Sequence, residues 1–135
     1  MASIERTSLP LKREILLKFA QAIFNKLQRD LKRWEIPISD KIDPTLGFVS
    51  MGSCYAVTYK DAGAFKVNVS SLLFDEYGHE PSEALRSILA HELCHTIEGC
   101  FNHGKEWKRW VMALNEQHGF KINPKPFRKD PTDLF

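Results

Sequence analysis

The five residues His-Glu-Leu-Cys-His at positions 91–95 constrain the fold more than any other part of the sequence. On an α-helix, residues four apart project from one face with Cβ atoms about 5–6 Å apart, so His91 and His95 can bind one metal ion. Glu92 lies beside a ligand without pointing at the metal, so its carboxylate can deprotonate a water held there. The motif therefore predicts a helix with a metal site and hydrolytic chemistry.

Two histidines and a glutamate can also take this spacing by chance on a surface helix. The flanking residues Ile88, Leu89 and Leu93 oppose that interpretation, because such an apolar run indicates a buried helix. Histidine and glutamate are rarely buried without partners. We therefore favour a metal site.

A catalytic zinc site usually has three protein ligands and one open position. We predict His103 as the third ligand, because it follows His95 by eight residues, just after Gly99 lets the helix end and the chain reverse. Three histidines favour zinc (Zn²⁺) without excluding manganese or iron.

Other side chains near the motif are weaker candidates for the metal. Glu98 competes with the third histidine, but it lies about 10 Å from His91 along the axis of a helix that rises 1.5 Å per residue. Cys94 is better explained as a buried neutral thiol. His79 and His118 have no partner at a metal-binding spacing.

Apolar residues recur at helical spacing in three segments. The first segment runs from Leu9 to Trp34, with Pro10 in its first turn. Its apolar stripe consists of Leu16, Phe19, Ala20, Ile23, Phe24, Leu27, Leu31 and Trp34. The second begins at Pro81, carries the motif in its second half and stops at Gly99. The third runs from about residue 104 to residue 118.

A period-two pattern predicts a β-hairpin between the first two helices. Its first strand lies between Phe48 and Tyr59, where Gly52 marks a bulge or a close backbone approach. After a turn at residues 60–63, the second strand spans 65–69, and a loop at 75–80 leads to the metal helix. The apolar side of the first strand consists of Val49, Met51, Tyr55, Val57 and Tyr59. We predict an α+β fold with helices packed on a small antiparallel sheet.

The composition of the chain is that of a folded soluble protein, with 43% hydrophobic and 27% charged residues. We expect one domain at residues 1–120 and an extended, proline-containing tail at residues 121–135. No apolar run is long enough to span a bilayer, and residues 1–10 contain no continuous apolar segment that would signal secretion, so we expect a cytoplasmic monomer without a membrane partner. The three cysteines form no C-x-x-C pair, which argues against disulfides and a zinc ribbon.

Charge is distributed unevenly along the chain. Residues 1–35 contain eight Lys/Arg and four Asp/Glu, residues 104–130 contain seven and three, and residues 36–103 contain four and nine. The basic flanks are a candidate surface for DNA or an acidic partner. The more ordinary interpretation is that these side chains only solvate the outer faces of two helices.

The sequence resembles the SprT-like family of zinc metallopeptidases, which includes the Spartan proteases. The most specific match is the H-G-x-x-W element at residues 103–107, downstream of the H-E-x-x-H motif. Residues 51–55 and 67–73 look like the strand segments that precede the active-site helix in that family. The resemblance covers roughly residues 9–120.

This resemblance implies a minimal zincin-like metalloprotease with His91, His95 and His103 as zinc ligands and Glu92 as the catalytic acid and base. Trp107 would dock the last helix against the metal helix. Members similar to Spartan cleave proteins, notably those crosslinked to DNA. The metzincin pattern fits less well, because it places glycine three and histidine six residues after the second histidine. In this chain those residues follow at four and eight.

The expected substrate is a polypeptide, held in extended form along an exposed edge of the hairpin at residues 65–69. The alternative is a non-catalytic, zinc-stabilised binding module, which could bind nucleic acid through the basic flanks. Glu92 discriminates between them, because a structural site is closed by four ligands and gains nothing from an adjacent carboxylate.

Overall fold

The computed structural model describes residues 2–50, 52–77 and 81–124. Within these residues the predicted α+β class is confirmed, with four helices and one three-stranded sheet. In chain order the elements are α1 (Ala2–Arg33), β1 (Gly47–Val49), β2 (Ala56–Asp61), β3 (Ala64–Ser70), α2 (Ser71–Tyr77), α3 (Pro81–Cys94) and α4 (Lys105–His118). None of these helices combines the length and apolar character that crossing a bilayer requires.

The sheet has the strand order β1-β3-β2, so β3 is the central strand. β2 and β3 form the predicted antiparallel hairpin, in which Thr58 is opposite Val67. Ala62 and Gly63 connect the two strands with φ values of 52° and 83°, as two-residue hairpin turns with a matching twist require. β1 pairs with β3 in parallel. The expectation of an antiparallel sheet is therefore wrong for β1, and the sheet is mixed.

The single strand predicted between Phe48 and Tyr59 is two strands with a loop between them. Gly52 lies exposed in this loop, and a Cβ atom added to it would meet no other atom within 4 Å, so it marks neither a bulge nor a close contact. The buried side of β2 is also opposite to the predicted one, since Ala56 and Thr58 face the core. Val67 and Val69 determine this orientation, because residues directly opposite each other in a pair of strands share a face.

α1 packs against α3 through the predicted apolar stripe, whose buried members are Leu16, Ala20, Phe24, Leu27 and Leu31. Phe19 was expected in that stripe but is 41% exposed. The helix begins at Ala2, so Pro10 lies inside it rather than in its first turn. α2 occupies part of the segment that was predicted to be a loop from residue 75 to residue 80. His79 lies outside the described residues.

α3 is the central helix of the fold, in contact with α1, α2, β2 and α4. Residues 89–97 are buried without interruption, which agrees with the predicted buried metal helix. α4 has the predicted bounds and ends at Gly119, whose φ of 69° suits a helix C-cap. Beyond α4, Phe120 and Ile122 are buried, and the Asn115 side chain exchanges two hydrogen bonds with the backbone of Ile122. The first residues of the predicted tail are thus packed against the domain, and residues 125–135 of the tail lie outside the described residues.

Candidate metal centre

Three histidine side chains converge where α3 ends and the chain turns towards α4. The Nε2 atoms of His91 and His95 are 3.2 Å apart, those of His95 and His103 are 3.1 Å apart, and those of His103 and His91 are 3.2 Å apart. All three side chains are buried. The structure therefore brings the predicted ligand set together as one group that could hold a metal ion.

This triangle of nitrogens is close to the size that a tetrahedral zinc ion would require. In tetrahedral coordination with Zn–N bonds of about 2.0–2.1 Å, neighbouring nitrogens lie about 3.3–3.4 Å apart. The observed separations of 3.1–3.2 Å are slightly shorter, so a small outward movement of the rings would accommodate such an ion. Imidazole donors also suit zinc chemically.

A neighbouring carbonyl group determines which ring nitrogen of neutral His95 carries the proton. Its Nδ1 lies 2.9 Å from the main-chain oxygen of Cys100, and a carbonyl oxygen can only accept a hydrogen bond. Nδ1 therefore carries the proton, and in the neutral ring Nε2 directs its lone pair at the centre of the triangle. This is the usual arrangement of a metal-binding histidine, in which the second ring nitrogen is held by an outer partner.

The backbone after α3 creates this arrangement. The helix ends at Cys94 rather than at Gly99, so the predicted stop is wrong by five residues. The next three N–H groups donate to carbonyls three residues back at 3.0–3.2 Å, which tightens the last turn to 3₁₀ geometry. Gly99 has a φ of 80°, in the left-handed region that favours glycine. The chain reverses there and returns Cys100 and His103 to the helix end.

Trp107 forms an aromatic surface behind the three histidines. It is fully buried, and its ring centroid lies 4.5–5.5 Å from each imidazole. Its Nε1 donates to the main-chain oxygen of His91 at 3.4 Å. As predicted, Trp107 docks α4 against α3, and it also restricts the orientation of all three rings.

Glu92 lies beside the histidine triangle and is held by a residue that sequence patterns did not identify. Its Oε2 is 3.6 Å from Nε2 of His91, while Oε1 accepts a hydrogen bond of 2.8 Å from the hydroxyl of Thr58. Both side chains are buried. The predicted alternation leaves Thr58 off the apolar side of its strand, whereas the observed pairing of Thr58 with Val67 places it on the inner face. The carboxylate is thus anchored at one oxygen and presents the other towards the triangle.

The remaining sequence candidates lie outside this group. Glu98 is exposed, and His118 stacks on Trp34 with ring centroids 3.6 Å apart. Burial raises the pKa of the Cys94 thiol well above its usual range, and the nearby Cys100 and Glu92 add to the effect. This increase in pKa agrees with the neutral thiol expected at Cys94.

Comparison with known proteins identifies the family. The SprT-like family matches residues 12–126, a range that contains all three histidines, Glu92, Thr58 and Trp107. No curated protein and no solved structure gives a significant match. Because the family match covers most of the 135 residues, this chain belongs to the SprT-like family.

Proposed function

We propose that this protein is a zinc-dependent endopeptidase with a zincin-like active site, in which His91, His95 and His103 bind the metal. Glu92 is the general base. The observation that supports this best is the position of its carboxylate, anchored by Thr58 at one oxygen and 3.6 Å from a histidine nitrogen at the other. Among the described residues the metal group has three donors, as a catalytic site with an open position requires.

A zinc ion in this site would polarise the scissile carbonyl and lower the pKa of an attacking water. The protein residues supply the proton transfers. Glu92 accepts the proton of the water at Oε2 and returns it to the leaving amine nitrogen. Thr58 keeps the other oxygen occupied, so the carboxylate cannot rotate away between the two transfers. Trp107 excludes water from the rear of the site.

The proposal is tested by combining metal analysis with a cleavage assay on an unfolded protein. Glu92→Gln should retain about one zinc per chain and lose cleavage, whereas His103→Ala should lose zinc and cleavage together. An active Glu92→Gln enzyme would refute the role of Glu92. If the wild-type protein binds zinc and cleaves nothing, the alternative of a zinc-stabilised binding module is supported instead.

The substrate most compatible with the sheet is an extended polypeptide paired with β2. The expected edge at residues 65–69 is wrong, because β3 is the central strand and β2 is the outer strand of the hairpin. The N–H group of Ser70 donates to the carbonyl oxygen of Tyr55, which sets the alternation of hydrogen-bonded pairs in this ladder. By that alternation Ala56, Thr58 and Lys60 direct their backbone groups away from β3. An added strand would therefore bond to Thr58, directly beside Glu92.

This mode of binding predicts an alternating sensitivity to N-methylation of a peptide substrate. Methylating an amide that bonds to β2 should weaken binding strongly, while methylating either neighbouring amide should not, because those N–H groups point away from the strand. Equal effects at all positions would refute strand pairing. Folded proteins should resist cleavage where their unfolded forms are cleaved.

DNA-associated proteins are a narrower substrate class that depends on the basic side chains of α1. Among residues 13–33, where side-chain burial is described, six of them are exposed, namely Arg13, Lys18, Lys26, Arg29, Lys32 and Arg33. Contacts with several phosphates would give an affinity for DNA that falls steeply with salt. Salt-sensitive binding that is lost when these residues are neutralised would support this class. Absence of binding would limit the proposal to polypeptides in general.

A further inference from the structure

An exposed aromatic residue lies in the loop that carries the third histidine. Phe101 is 39% exposed, although its neighbour Cys100 and the nearby His103 are both buried. Its ring centroid lies 6.4 Å from that of Phe65 on β3. The amine of Lys60 lies 5.0 Å from the centroid of the same Phe65 ring. These three side chains form a continuous surface, which we call the Phe101 surface.

The Phe101 surface lies on the same face of the hairpin as the candidate catalytic residues. Lys60 is opposite Phe65, and Thr58 is opposite Val67. Because alternate residues of a strand point to the same face, Lys60 and Thr58 share the side of β2 that contacts Glu92. The surface is thus displaced from Thr58 by two residues along the strand, about 6–7 Å.

The register of strand pairing determines which part of a substrate would meet this surface. A segment antiparallel to β2 places alternate residues opposite Lys60 and Thr58, with their side chains on the shared face. Since β2 runs from Thr58 to Lys60, the residue opposite Lys60 lies two positions towards the N-terminus of the residue opposite Thr58. It therefore precedes the bond that faces Glu92.

We propose that the Phe101 surface is a specificity subsite that binds a large apolar side chain of the substrate, on the N-terminal side of the scissile bond. This inference depends on the proposed endopeptidase function and on pairing with β2. The chemistry of the surface supports it, since two aromatic rings and the aliphatic part of a lysine gain from burying apolar area. An aromatic side chain would also gain from the Lys60 amine.

The first experiment maps the bonds that the wild-type enzyme cleaves in an unfolded protein. Large apolar residues should be enriched at one position shortly before the cleaved bond. Phe101→Ala should abolish the enrichment, and Phe101→Leu should retain part of it. Phe19→Ala is the matched control, because Phe19 is about as exposed as Phe101, at 41%, but lies on α1 and outside the Phe101 surface. Cleavage without enrichment, or unchanged enrichment in Phe101→Ala, would overturn the proposal.

The second experiment separates the subsite from the catalytic activity. Two peptides are compared that differ by phenylalanine or serine at the enriched position. For the phenylalanine peptide, Phe101→Ala should lower kcat/KM about tenfold, mainly through KM, because the contact contributes to binding before the reaction. The serine peptide should be unaffected, and zinc content should not change.

Binding of both peptides to Glu92→Gln provides a measurement that needs no turnover. The phenylalanine peptide should bind about tenfold more tightly, and adding Phe101→Ala should remove that difference. Equal binding of the two peptides to Glu92→Gln would refute the subsite. If the wild-type protein cleaves no substrate, extended peptides that differ only by phenylalanine or serine at one position are compared by binding alone. A difference in binding that Phe101→Ala removes would then support the binding surface while the endopeptidase function fails, and equal binding would refute both.

Discussion

Replacing Thr58 with valine tests whether the anchoring of Glu92 matters for its action. Valine has nearly the shape of threonine, so the change removes the hydroxyl that donates to Oε1 at 2.8 Å and leaves the packing intact. Both side chains are buried, with exposures of 1% and 2%, so water cannot easily replace the lost donor. A hydrogen bond to a charged group contributes about 1.5–3 kcal/mol.

The expected effect of Thr58→Val is a lower kcat with an unchanged KM. If about 1.4–2.7 kcal/mol of the lost energy appears in the transition state, kcat falls about 10- to 100-fold. KM should not change, because the backbone of β2 is unaltered and the side chain of residue 58 faces the helix. Zinc content should also stay the same, since Thr58 does not belong to the group of three histidines.

Thr58→Ser is the matched control, because serine keeps the hydroxyl and loses only a methyl group. Its kcat should remain close to that of the wild-type enzyme, even if its free energy of unfolding is somewhat lower. Steady-state kinetics, zinc analysis and urea unfolding of the three proteins provide the measurements. A Thr58→Val enzyme with wild-type kcat, or a serine variant as impaired as the valine variant, would refute the positioning role.

Three further predictions follow from the surroundings of the histidines. Trp107→Ala should lower the free energy of unfolding by about 3–5 kcal/mol and also weaken zinc binding. Val111→Ala is the control, because Val111 is equally buried on the same helix, and this change should lower the free energy of unfolding alone. Unfolding measured with and without zinc distinguishes the two variants. Gly99→Ala and Gly119→Ala should each cost about 1–2 kcal/mol because both glycines have positive φ, but a zinc titration should show weaker binding only for Gly99→Ala. The three cysteines should react with a thiol reagent only after denaturation, because all are buried; rapid labelling of the folded protein would contradict this.

Local patterns in the sequence were sufficient to predict the histidine group. The spacing of His91 and His95 depends only on helix geometry, and His103 required only one glycine that lets the chain turn back. The predicted end of α3 was wrong, because no glycine or proline marks the actual helix end at Cys94. The helix ends where the chain turns to place the carbonyl group of Cys100 against His95. Neither helix nor strand periodicity relates these two residues, so the sequence pattern does not predict their contact.

The errors in the sheet have a different physical origin. β2 carries its larger apolar residues, Val57 and Tyr59, on the outer face, so its own alternation indicates the wrong side as buried. The orientation is decided by β3, where Val67 and Val69 supply the inner face, and the hairpin turn fixes the pairing. A one-residue difference in register would move Thr58 away from Glu92 and put a different side chain there. The anchoring of the Glu92 carboxylate therefore depends on hairpin register as well as on α3.

The burial of the candidate site restricts how its polar atoms can be satisfied, and this bears on the proposed chemistry. His95 is inaccessible to water and Glu92 nearly so, and isolated polar groups at such depth would destabilise the fold. The second nitrogen of His95 bonds to a carbonyl group and one oxygen of Glu92 bonds to Thr58, so each residue has one polar atom satisfied by the protein. Their remaining atoms, Nε2 and Oε2, face the same small volume between α3 and the loop before α4. A metal ion bound there would accept the lone pair of Nε2, and a water on that ion would donate a hydrogen bond to Oε2, as the proposed function requires. The hydrogen bonds to the Cys100 carbonyl and to the Thr58 hydroxyl therefore hold both side chains in the orientation that the proposed hydrolysis requires.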